Sequence, residues 1–145
     1  MLAAVALLAG SPASALGSLE TAEKLRRLDI MLMVTSLRCR FGDDNFQADY
    51  DAFATRHLGT LNAAAHELTA ELSRQYGAKA AVRALDTMST GIANGYGMGH
   101  PRLECGDLKR TTQDLAAASD RDTLVAAADR LIAIPQESVF VLARR

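Results

Sequence analysis

At 145 residues the chain has the length of one domain, and 49% hydrophobic residues is ample for a packed core, which excludes a disordered segment. The net charge of −1 comes from interspersed acids and bases, so there is no basic stripe for nucleic acid and no acidic block for a polycation. Aromatics are 5% and tryptophan is absent, a composition that suits close-packed helices better than a pleated surface.

Residues 1–15 read as a signal peptide. Leu2-Ala3-Ala4-Val5-Ala6-Leu7-Leu8-Ala9 is a short apolar run, Gly10-Ser11-Pro12 interrupts it, and Ala13-Ser14-Ala15 is a small-x-small cleavage pattern. No Lys or Arg precedes the run. The run is too short for a permanent membrane anchor, which needs about 20 apolar residues. The mature chain is therefore expected to be periplasmic or secreted. In that setting its two cysteines, Cys39 and Cys105, are expected to form one disulfide. Closing a loop of about 67 residues stabilises a fold by about 4 kcal/mol in the chain-entropy model.

Residues 16–134 are expected to form one all-α domain, a bundle of four to five helices. The first helix is predicted from Leu19 to Arg38, apolar on most sides around Ile30 to Val34. The second runs from Phe46 to Tyr76 on a stripe of Phe46, Tyr50, Phe53, His57, Leu61, Ala64 or Ala65, Leu68 and Leu72, with Gly59 at a close helix crossing or a kink and Gly77 as C-cap. The third runs from Lys79 to Asn94 with Val82, Leu85, Met88 and Ile92 inward. A glycine-rich connector follows, then a fourth helix starting near Asp107 and a fifth starting at Ser119. Residues 135–145 form a tail of some strand character; one strand without a partner makes no sheet, so it is expected to be loose or docked. The disulfide would tie the corner after the first helix to the connector before the fourth.

The chemistry-bearing patterns are sparse. Gly95-x-Gly97-x-Gly99 follows a helix and precedes Pro101, the reverse of what a dinucleotide fingerprint requires. His57 lies on the apolar stripe, and His66-Glu67 lacks the spacing of a zinc protease. No metal site and no cofactor is expected. Tyr96 and His100 sit in a connector that the disulfide would hold near the first corner, so Tyr96, His100 and His57 are the candidate binding residues.

The run Thr21 to Arg40, the stretch Asp44 to Tyr50, and the positions Arg83 to Asp86, Tyr96-Gly97, His100-Pro101 and Cys105 together resemble an uncharacterised family of short exported alphaproteobacterial proteins. The resemblance spans roughly Glu20 to Leu131 and does not extend into the tail from Pro135. Some members carry the label adenosylhomocysteine hydrolase. Those enzymes are far longer and bind NAD on a Rossmann sheet, and only Gly95-Tyr96-Gly97 echoes a motif in them. The resemblance implies an exported helical protein with no assigned activity. The first functional expectation is a non-catalytic periplasmic domain that binds a periplasmic protein or envelope component. The alternatives are a small hydrolase using a histidine and a carboxylate, and a stress factor that holds unfolded clients.

Overall fold

The structure, a computed structural model, describes residues 12–145, with side chains from Gly17 onward. The expected signal peptide lies outside the described residues except for its last four positions, whose backbone opens the first helix. The described residues form helices and no strands: α1 (Pro12–Arg38), α2 (Gln47–Arg56), α3 (Leu58–Tyr76), α4 (Ala78–Tyr96), α5 (Cys105–Ala117), α6 (Arg121–Leu131) and α7 (Val139–Ala143). The fold is all-α, with seven helices among the described residues in place of the expected four to five.

Two features raise the count. The predicted second helix is divided at His57, not at Gly59. His57 leaves helical geometry at φ −105° and ψ 15°, yet its N–H still reaches the Phe53 carbonyl and its own carbonyl accepts from Leu61. The hydrogen-bond ladder nearly continues across His57, so no breaker residue marks the division. A Cβ on Gly59 would touch nothing, so no close crossing depends on that glycine. The second addition is α7, where the tail forms a short helix with Val139 and Ala143 buried rather than a strand.

α1 is the central element. Ala22, Leu25, Leu28, Met31 and Leu32 are fully buried, while Met33 and Leu37 reach solvent. α3 and α4 are joined by Gly77 alone, at φ 86°, a left-handed value that glycine adopts without penalty. α4 buries Ala81, Ala84, Met88, Ile92 and Tyr96 where it packs on α1, α3 and α7. Val82, expected inward, is 65% exposed. The inner stripe starts one residue earlier, at Ala81, and its first two members are alanines, which bury without the bulk of Val82. α4 also continues two residues beyond Asn94, which makes Tyr96 a core residue at 1% exposure rather than part of a connector.

α5 starts at Cys105 with Glu104 as N-cap. Asp107, the expected cap, sits instead at the third position of a reciprocal capping box. α6 is capped by Asp120, not Ser119, through the Thr123 N–H at 2.8 Å. The Cys39–Cys105 disulfide spans a Cα–Cα distance of 5.8 Å and links the end of α1 to the start of α5.

Candidate functional site

Tyr96 and His100 are brought together, and both serve the end of α6. The last carbonyls of a helix have no partner inside it and must find donors elsewhere. The His100 ring stacks on the Tyr96 ring with centroids 5.6 Å apart. Nδ1 of His100 accepts the N–H groups of Arg102 and Leu103, both at 3.1 Å. Its Nε2 therefore carries the proton and donates to the Leu131 carbonyl at 2.8 Å. The Arg102 guanidinium donates to the neighbouring Arg130 carbonyl at 3.0 Å. The Tyr96 hydroxyl accepts the N–H groups of Ala133 at 2.9 Å and Ile134 at 3.3 Å, where the chain leaves α6.

His57 lies apart from this pair and plays the same role at the end of α5. Its buried ring packs on Phe53, centroids 5.3 Å apart, and Nε2 donates to the Leu115 carbonyl at 2.7 Å. Arg56 reaches the Ala118 carbonyl beside it. Each histidine thus supplies a donor to the negative pole of a helix. Replacing His57 with Phe is expected to reduce stability by about 1 kcal/mol, because the Leu115 carbonyl keeps a weaker bond from the Ala118 N–H. Urea denaturation of the H57F variant measures this.

The disulfide end of the bundle carries a cleft of about 320 Å³ lined by Cys39, Cys105, His100, Phe41, Met98 and their neighbours. Phe41 and Met98 are 82% and 86% exposed. The Arg40 guanidinium sits 4.3 Å from the centre of the Phe41 ring. Two apolar side chains thus project from loops that the disulfide holds in place.

A second cluster was not legible from the sequence. Glu23 and Arg27, one turn apart on α1, are both buried and paired at 2.6 Å. Glu23 also accepts the Ser138 hydroxyl at 2.8 Å and the Val139 N–H at 3.0 Å, and Arg27 donates to the Glu137 carbonyl at 2.6 Å. The pair fixes the tail to the central helix. In the sequence it reads as an ordinary i,i+4 surface pair, one of several charged neighbours on α1, and nothing marks it as buried.

A third polar contact joins α2 to α1: the Tyr50 hydroxyl donates to Asp29 at 3.0 Å. Burial raises the Asp29 carboxyl above its ordinary 3.8, against the opposing pull of Tyr50 and Arg26. The folded state therefore holds this proton more tightly than the unfolded chain, and the stabilisation it gives is lost as pH rises through the elevated value. Asp29→Asn keeps an acceptor for Tyr50 without the buried charge. It is expected to be more stable than the parent at pH 7, with the difference vanishing below the ordinary carboxylate range. Thermal melts of both proteins across pH 3 to 8 check this.

Among the described residues no group of three or more His, Cys, Asp or Glu is placed to hold a metal ion, and no buried side-chain nitrogen or oxygen lacks a partner. No described helix is long and apolar enough to cross a membrane. Compared with protein-family models, curated proteins and solved structures, the chain matches none of them.

Proposed function

We propose that the chain is an exported, non-catalytic binding domain that acts in the periplasm on a protein or envelope component. The observation that carries this reading is how the side chains are used. The Nε2 atoms of His57 and His100 and the hydroxyl of Tyr96 are committed to main-chain groups, while Phe41 and Met98 are exposed around the disulfide-end cleft. A histidine base in a hydrolase of this kind is oriented by a carboxylate bonded to one ring nitrogen, and the carbonyls of Leu115 and Leu131 take that place at His57 and His100. Exposed apolar residues on a rigid frame suit contact with a partner instead. In this reading His100 contributes a wall of the cleft, and Tyr96 and His57 hold the frame. The disulfide and the resemblance to short exported alphaproteobacterial proteins support an oxidising compartment.

The test is expression in a bacterial periplasm with a photo-cross-linking residue at position 98, and at position 82 as a control on another face. A discrete adduct from position 98, absent from position 82 and lost in Phe41→Glu, is expected. Intact mass of the same preparation should show a chain starting at Leu16 and two hydrogens lighter than the reduced form. No adduct from either position, or an uncleaved reduced chain, would contradict the reading.

A further inference from the structure

The segment between α6 and α7 runs through a groove between α1 and α4, and most of the groove's polar contacts go to its main chain. Tyr96 accepts the N–H groups of Ala133 and Ile134, Arg27 donates to the Glu137 carbonyl, and Glu23 accepts the Val139 N–H. Only Gln136, which accepts from Arg27, and Ser138, which donates to Glu23, are met through their side chains. The floor is glycine. A Cβ on Gly95 would lie 3.2 Å from the Ile134 side chain, and one on Gly91 would lie 3.4 Å from the Gln136 side chain. Gly91 and Gly95 are one turn apart, so together they open a track along α4. The strap lies antiparallel to both helices: Ile134 is beside Gly95, Gln136 beside Gly91 and Arg27, and Val139 beside Glu23.

The strap fills the α4 side of the groove, where Ile134 and Gln136 lie over Gly95 and Gly91, but not its α1 side. Cavities of about 380 and 330 Å³ border it, each lined by Glu20, Glu23 and Ser138 together with other residues. Beyond the strap the chain is held by α7, which has five residues and only Val139 and Ala143 buried. Seating a tail alone would need no buried charges, because an apolar seam avoids the desolvation that Glu23 and Arg27 incur. What the charged pair and Tyr96 add is recognition of peptide N–H and C=O groups, which every extended segment carries.

We propose that the α1/α4 groove is a peptide-binding site that reads the main chain of an extended segment, and that residues 133–139 of the chain itself occupy it until a partner peptide displaces them. The site is distinct from the disulfide-end cleft. The ligand is an extended segment of another protein. It has free N–H groups at the positions of Ala133, Ile134 and Val139, so proline is excluded there and tolerated at Pro135. A medium apolar residue matches Ile134 over Gly95, and an apolar residue matches Val139.

The test uses the full chain and a fluorescent peptide with the sequence of residues 131–143, read by anisotropy. Val139→Asp unseats the chain's own strap and leaves the groove residues intact, so it should bind the peptide at least tenfold more tightly than the parent. Adding Gly95→Val, which fills the floor, should abolish binding. A peptide N-methylated at the Ile134 and Val139 positions should bind at least tenfold more weakly. One with alanine at the Gln136 and Ser138 positions should stay within a few-fold. Equal binding by Val139→Asp and the parent, equal binding by the N-methylated peptide, or dimerisation of Val139→Asp without peptide binding would overturn the proposal. Hydrogen exchange on the parent is independent of any variant's folding. The Ile134 and Val139 amides should open while α1 and α4 stay protected, and exchange of these amides only with global unfolding would overturn it.

Discussion

Reducing the Cys39–Cys105 disulfide, or replacing both cysteines with serine, is expected to lower stability by about 4 kcal/mol. The bond closes a loop across a sequence separation of 66 that contains α2, α3 and α4. Without it the unfolded chain gains the conformational freedom of that whole loop, while the folded state loses little more than the link between α1 and α5. The helical content at 25 °C should therefore stay close to that of the parent. At roughly 2–4 °C per kcal/mol for a chain of this size, the melting temperature should fall by roughly 8–16 °C. Paired urea and thermal denaturation of the oxidised and reduced protein measures this. A difference under about 1 kcal/mol would mean that the two loops are held without the bond.

Arg27→Ala is expected to reduce stability by about 3–5 kcal/mol, because it leaves the buried Glu23 carboxylate without its charged partner and the Glu137 carbonyl without its donor. The loss should concentrate at the tail, with α7 released before the rest unfolds. Replacing both partners, Glu23→Leu with Arg27→Met, removes the buried charges together and should lie much nearer the parent than either single change. Urea denaturation of the two single variants and the double variant gives the coupling energy. Additive losses would show that the two charges act independently.

The parts of the fold written in large apolar residues could be read from the sequence. Of the stripe from Phe46 to Leu72, Phe46, Phe53, His57, Leu68 and Leu72 are buried and Tyr50 and Leu61 are half-buried, and the two cysteines meet. What escaped the reading was written in small or polar residues. The corner at His57 keeps its backbone bonds on both sides, so neither proline nor glycine marks it. The α4 face is set by Ala81 and Ala84, whose burial a stripe of larger residues around Val82 obscures. Tyr96 and His100 were legible as unusual residues in that region. Their role was not, because their partners, at Leu131, Ala133 and Ile134, lie more than thirty positions along the chain. A longer separation, 116 positions, hides the bond between Glu23 and Val139. The Gly91 and Gly95 track has no sequence signal apart from its one-turn spacing, since a helix tolerates isolated glycines for many reasons.

His57, His100 and Tyr96 bond main-chain groups at helix ends, and Glu23 and Arg27 seat the tail. Nitrogen-15 NMR of the imidazole rings at neutral pH reads this arrangement, with exposed His66 as an internal reference. The expected spectrum shows His57 and His100 each as a single Nε2–H tautomer, with slowly exchanging ring protons bonded to the Leu115 and Leu131 carbonyls. An Nδ1–H tautomer, or a ring proton exchanging as fast as that of His66 at either position, would contradict it.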